Sequence, residues 1–246
     1  MNIGLYQSAA ALSSLERWQD AVSQNITSSQ VTGYKKRTVE VGAEFMGEYN
    51  ADGHSRSGEG QPGYFPKATF GISFRGGEVQ PTRRELDVAI QGEGFFVTQG
   101  PDGTRTYTRN GELSLRSDRT LVASNGGEVV SEGGAPIQTQ PQGGPVVINQ
   151  DGTVRQGDAL LGRIHIVKFE DTSRLRPVSG GAFSAEGIEP ITVEKPEVLQ
   201  GYLEGSNITP LREMVDLVTI ARAYEANQKL IQSRDGTLEK ALEKLG

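Results

Sequence analysis

The sequence contains no cysteine, so it can form no disulfide, offer no thiolate nucleophile and hold no cysteine-ligated metal. It has two histidines, His54 and His165, far apart and in unlike contexts; each reads as a surface or strand residue rather than a ligand. No apolar run reaches the roughly 20 residues that a membrane-spanning helix needs. The first twenty residues lack the basic segment and continuous apolar core of a secretory signal, so no cleaved leader is expected. With 25 basic against 31 acidic residues, the formal net charge is −6. That balance argues against a protein that coats nucleic acid, which needs a basic surface for phosphates. Apolar residues make up only 35%, enough for a modest core.

Catalytic signatures are also missing. No serine sits in a nucleophile elbow, and no glycine-rich loop ends in Lys-Ser or Lys-Thr. Gly92-Glu93-Gly94 is followed by apolar, strand-like residues instead of a helix start, and reads as a turn. Asp87, Glu93 and Glu112 could in principle supply a glycosidase pair. Nothing in the sequence fixes their separation, and solvated strand faces account for them. No metal, cofactor or catalytic residue is expected.

What is present falls into three patterns. Between Ile3 and about Gln30 there is no proline, and no glycine after Gly4. Leu5, Leu12, Leu15, Val22 and Ile26 recur at helical spacings, giving a helix of about 40 Å. Gly33, in Val31-Thr32-Gly33-Tyr34, suits a left-handed C-terminal cap. Gly42 to Thr82 is rich in glycine and polar residues and reads as an extended connector with room for one hairpin. From about Leu86 to Leu199, turn signals such as Asn110-Gly111, Asn125-Gly126-Gly127 and Asp151-Gly152 punctuate short apolar runs. These imply a compact antiparallel barrel or sandwich.

The third pattern is a second long helix. Thr209 suits an N-cap and Pro210 the first helical position. Counted by heptads from Met214, one seam runs through Leu217, Ala221, Tyr224, Gln228, Ile231, Asp235, Leu238, Leu242 and Leu245. Gln228 and Asp235 interrupt it, as polar residues do when they set the register of a coiled coil. Gly236 should weaken or bend the helix by about 1 kcal/mol against Ala. The triplet Asn-Ile-Thr occurs at Asn25 and at Asn207. Capping or turn roles fit both sites better than glycosylation. The fold class is thus α+β: terminal amphipathic helices forming a coiled-coil-like layer, with an inserted all-β domain. The helices could pair only with each other, but one seam apiece is marginal alone, and lateral packing between subunits would complete their core.

Three blocks then resemble a known family. "LYQSAAALSSLERWQDAVSQNITSSQVTGYKK" is similar to the N-terminal motif of bacterial flagellar rod and hook proteins. It differs in "NITS", where that family has Asn-Leu-Ala-Asn, and in Val31, where threonine is usual. "ELDVAIQGEGFFVTQGPDGTRTYTRNGELSL" resembles the family's core motif, and "QGYLEGSNITPLREMVDLVTIARAYEANQKLIQ" its C-terminal signature. Length, "GGAPI" and "LGRIHIVKF" look most like a proximal rod member, with a distal rod member the nearest rival and a hook protein behind.

The resemblance implies a structural subunit of the flagellar basal-body rod that catalyses nothing and binds no cofactor. Residues 1–35 and 200–246 would form an inner helical layer, 36–85 a connector and 86–199 an outer β domain. Partners would be further copies, other rod proteins, the hook side of the rod and the flagellar type III export apparatus. Neither nucleic acid nor membrane insertion is expected, and the subunit would work in the periplasm after export without a cleaved signal. Expected interface residues are Leu5, Leu12, Leu15, Val22 and Ile26 in the first helix. In the second they are Met214, Leu217, Ala221, Arg222, Tyr224, Glu225, Gln228, Ile231, Leu238 and Leu242. Two readings of other classes stand beside this one: a carbohydrate-binding β domain dimerised by its helices, and a cell-wall hydrolase.

Overall fold

An uninterrupted run of helix-compatible residues gives one helix, α1 (Ile3–Thr27). The structure is a computed structural model that describes residues 3–49 and 61–243. His54 lies outside the described residues. Helix α1 ends at Thr27, before Gly33, so Gly33 does not cap it. Gly33 is left-handed (φ 68°) for another reason: a Cβ there would lie 2.4 Å from the backbone nitrogen of Asn110. Only glycine allows both that φ and that approach. The second helix, α2 (Pro210–Glu243), begins as Thr209 predicts. The Thr209 carbonyl accepts from the amides of Arg212 and Glu213 at 2.9 and 3.2 Å. It continues helically through Gly236.

The chain divides into two compact units. The first contains α1, α2 and a long antiparallel hairpin, β1 (Arg37–Tyr49) and β2 (Gln61–Ile72). Its core is the helix pair. Leu15, Val22 and Ile220 are buried, with Trp18, Ile26, Leu217, Ala223 and Tyr224 packed around them. Fully burying each large apolar side chain contributes about 1.5–3 kcal/mol, so so small a core is held with little to spare. In the hairpin, Arg37 faces Ile72 and Phe45 faces Tyr64, with a bulge between Phe45 and Gly47.

In the second unit, residues 28–36 and 73–208, every strand pairs antiparallel, with short 3-10 turns at 172–174 and 179–181. Its largest sheet has nine strands, of two to five residues each. The path runs from 175–178 through 182–185, 105–108, 95–99, 128–129 and 121–123 to 113–115. Strand 166–168 joins it by pairing with both 95–99 and 191–192. The expected barrel is not closed: among the described residues, 175–178 and 113–115 stand at opposite ends of the path. Strands this short, one of them serving three neighbours, branch instead of carrying a continuous register around a cylinder.

Short strands need tight turns, and one device recurs. Asp102, Asp118, Asp151 and Asp171 each accept a hydrogen bond from the backbone two residues on, at 3.0–3.1 Å. These local bonds fold the chain back without help from the core. Inside, Val88, Phe96, Leu121, Val129, Ile137, Val154, Ile164 and Ile166 form one buried cluster. A second, aromatic cluster joins Phe74 to Phe95 and Phe183, and Tyr107 to Phe169, through edge-on contacts.

Candidate functional site

In the first unit, a buried asparagine organises the end of α1. Asn25 is 1% exposed. Its carboxamide donates to the Arg37 carbonyl and accepts from the Arg37 amide, both at 2.9 Å. It therefore pairs with the first residue of β1 as another strand would. The same amide nitrogen donates at 2.9 Å to the buried carboxylate of Glu213, in the first turn of α2. Glu213 also lies where the helix dipole is positive. One side chain thus ties together three elements.

In the second unit, an ionic cluster does comparable work. Glu204 is buried between Lys35, whose Nζ lies 2.6 Å from Oε1, and Arg109, whose Nε lies 2.9 Å from Oε2. The Arg109 guanidinium also donates to the carbonyls of Gly94 and Gly92, at 2.8 and 2.6 Å. Lys35 donates to the Arg75 carbonyl, and the Gly77 amide donates to Glu204, both at 2.8 Å. Burial pulls Lys35 and Arg109 below their ordinary pKa values, partly countered in each case by the Glu204 carboxylate. Beside them Asn207 accepts from the Lys36 amide at 2.7 Å and donates to the Ser73 and Arg75 carbonyls. Both Asn-Ile-Thr triplets therefore serve as backbone clamps.

The motif residues quoted above thereby acquire physical roles. "GEGFF" supplies the carbonyls that receive Arg109 of "YTRNG", while "YLEGSN" supplies Glu204 and Asn207. Gly111 is required because a Cβ would lie 1.6 Å from the Val88 carbonyl oxygen, and Gly77 because one would lie 1.9 Å from that of Gly205. A cleft of about 690 Å³ opens beside the cluster, with Phe74, Phe95, Phe169, Lys168 and Arg109 among its walls. Asp87 and Glu112 form a bridge pair, and Arg84 contacts both, at 3.7 and 3.1 Å. Glu93 is exposed on the rim of the cleft. His165 bonds Thr192 through Nε2 at 3.1 Å. Among the described residues, no three histidine or acidic side chains are grouped to hold a metal.

The expected interface residues divide into inward and outward sets. Leu15 and Val22 are buried in the helix seam, and Ile26, Leu217 and Tyr224 pack on it. Leu12 and Ile231 are half-buried. Met214, Ala221, Arg222, Glu225 and Gln228 are exposed. The side chains of Leu5, Leu238 and Leu242 lie outside those described. Heptad counting from Met214 missed Ile220, which is 0% exposed and lies at the centre of the seam. The inward row is Glu213, Leu217, Ile220, Tyr224, Asn227 and Ile231, at alternating spacings of four and three. A second, outward stripe comprises Leu211, Met214, Val215 and Val218, exposed to 73, 51, 58 and 52%.

Comparison with known proteins gives a family match over both units. Residues 199–244 match the family model described as flagellar basal body rod FlgEFG protein C-terminal. Residues 89–156 match that of the flagellar hook protein FlgE/F/G D1 domain. The flagellar basal-body rod protein FlgF of Mesorhizobium japonicum is 30% identical over 248 residues, covering 100% of this chain and 99% of that protein. FlgF of Caulobacter vibrioides is 30% identical over 247 residues, with the same coverage. The rod protein FlgG of Agrobacterium fabrum is 31% identical over 238 residues, 88% of this chain and 89% of that one. With helix pair, clamps and glycine-dependent crossings spanned end to end by these alignments, the chain belongs to the flagellar basal-body rod protein family, as a structural subunit.

Proposed function

We propose that this subunit polymerises with itself and with other rod proteins into a helical tube that transmits torque to the hook and filament. It works by packing, and it carries out no reaction. The outward stripe of α2 is the observation that carries this reading. Four large apolar side chains on one helix face stay more than half exposed while the opposite face is already used. Such a surface is a contact site in waiting. Contacts between unlike patches that do not close into a ring generate a helical assembly.

Within that reading, residues 1–35 and 200–246 supply the inner layer and 86–199 the outer β layer. The exposed Met214, Ala221, Arg222, Glu225 and Gln228 meet neighbouring subunits. Leu12, Leu15, Val22, Ile26, Leu217, Tyr224 and Ile231 hold the helix pair that presents them, and Leu5, Leu238 and Leu242 extend the same seams. The subunit sits on the proximal side of the rod, in line with "GGAPI" and "LGRIHIVKF". It reaches the periplasm through the flagellar export apparatus without a cleaved signal, and its far neighbours lead to the hook.

The test replaces the chromosomal copy with Leu217→Asp, which puts a charge into the helix seam and leaves the β unit alone. Soft-agar motility and electron microscopy of purified basal bodies should show loss of swimming and truncated rods. Normal rods and normal swimming would overturn the reading.

A further inference from the structure

We infer that the apolar face of the β1–β2 hairpin is the docking surface for the outward stripe of α2 from a second copy of this chain. The inference rests on the self-assembly reading and names the two surfaces that meet. Cross-strand register places Val39, Val41, Ala43 and Phe45 opposite Phe70, Ala68, Pro66 and Tyr64, so one face is apolar throughout. The pleat sends Thr38, Glu40, Gly42 and Glu44 to the other face. On the apolar face Phe45, Tyr64, Phe70 and Val41 are 54, 52, 50 and 49% exposed. Phe45 and Tyr64 stack edge-on with ring centroids 5.8 Å apart, forming a ridge ahead of any partner. A half-exposed aromatic presents about 100 Å². The face therefore offers roughly 300–400 Å², in the range where an exposed patch marks a contact site.

The occupant follows from shape and area. A helix stripe and a sheet face are standard layer partners. The α2 stripe, Leu211, Met214, Val215 and Val218, follows the i, i+3, i+4, i+7 pattern of one helix face and is exposed over a similar extent. Each surface supplies about half of the roughly 800 Å² per partner in a standard interface. A single contact is therefore too small for a stable dimer in dilute solution. It suffices where every copy uses both faces and further contacts add. Since the two surfaces differ, the contact is head-to-tail, and it propagates as a helix where it does not close into a ring.

The absence of cysteine makes a clean test available. Val41→Cys and Val218→Cys full-length variants, mixed and oxidised at high concentration, should give mixed disulfide dimers at least tenfold above either homodimer. In parallel, Phe45→Asp and Val215→Asp variants, confirmed folded by circular dichroism, should each lose association by sedimentation. Sedimented at the same high concentration, their equimolar mixture should recover a one-to-one dimer in reversible exchange with monomer and stop there, because one intact pair of surfaces remains. A statistical distribution of disulfides, or a mixture no more associated than its components, would overturn the docking. If that happened while the Leu217→Asp strain lost motility, the docking would fall and the rod reading would stand.

Discussion

The carboxamide of Asn25 and the carboxylate of Glu213 meet at 2.9 Å although 188 positions separate them in sequence. Both are 1% exposed, so the pair is shielded from water. Asn25 is at the same time spliced onto the backbone of Arg37. The end of α1, the start of β1 and the start of α2 are therefore fixed by one side chain. Such a junction holds the helix pair together where the seam itself contains few buried residues.

Removing that junction should cost more than a surface change. Asn25→Ala strands the Arg37 amide and carbonyl and takes a donor from Glu213, for an expected loss of about 1–3 kcal/mol. Asn25→Asp is nearly isosteric but sets a second carboxylate against Glu213, which raises the pKa of the pair. Its deficit should be larger at pH 7 and should shrink toward pH 4, as one carboxyl takes up a proton and donates again. Urea titrations followed by Trp18, the single tryptophan, report on this unit because Trp18 packs on the seam. A pH-independent deficit in Asn25→Asp would show that the contact is not made.

The helix seam should reveal its phase by mutation. Ile220 is fully buried between the helices, so Ile220→Ala should destabilise the first unit by about 2–5 kcal/mol. Met214→Ala, on the exposed side, should change it by less than about 0.5 kcal/mol. Thermal melts monitored by Trp18 emission would separate the two, and the reverse ranking would sink the assignment of faces.

The difference between Ile220 and Met214 also shows where sequence reasoning stopped. Both helices were legible from capping residues and spacing, and the turns of the β unit from Asp-Gly and Asn-Gly pairs. The seam's phase was not legible, because Leu211, Met214, Val215, Leu217, Val218 and Ile220 spread apolar residues around much more than one face. Period alone cannot choose among faces that are all apolar. The alternation Val39, Val41, Ala43, Phe45 was a readable strand signal for the hairpin. Lys35 and Glu204 were beyond reach, since they are 169 positions apart and no local pattern pairs such charges. Closure of the sheet was unreadable for the same reason: short strands reveal their existence but not their partners.

The buried ionic cluster predicts an asymmetry between two charge deletions. Glu204→Gln leaves Lys35 and Arg109 buried without their counter-ion, and should cost about 3–5 kcal/mol. Lys35→Met leaves Glu204 and Arg109 as a balanced pair, and the Arg75 carbonyl keeps its bond from Asn207, so the loss should be only about 1 kcal/mol. Near-ultraviolet circular dichroism from the Phe74, Phe95, Phe183, Tyr107 and Phe169 cluster would follow unfolding of this unit. Equal losses would mean that Glu204 does not carry the balance of charge.

His165 should act as a modest acid sensor of the β unit. Burial, with Arg105 nearby, holds its pKa below the ordinary 6.5, although Glu132 pulls the other way. Its Nδ1 is buried without a hydrogen-bond partner, so a proton placed there would have nothing to donate to. A base with a depressed folded pKa binds fewer protons folded than unfolded, so stability rises with pH through that range. The His165 contribution is therefore full above pH 6.5 and is lost as pH falls through the folded pKa. A His165→Gln variant should lose this part of the acid sensitivity while keeping the remainder, which the carboxylates set. With only two histidines in the chain, a proton NMR titration of the imidazole resonances resolves the point directly. One ring should titrate below 6.5 and vanish in His165→Gln. A His165 ring titrating at or above 6.5 would mean that its buried nitrogen finds a partner in solution.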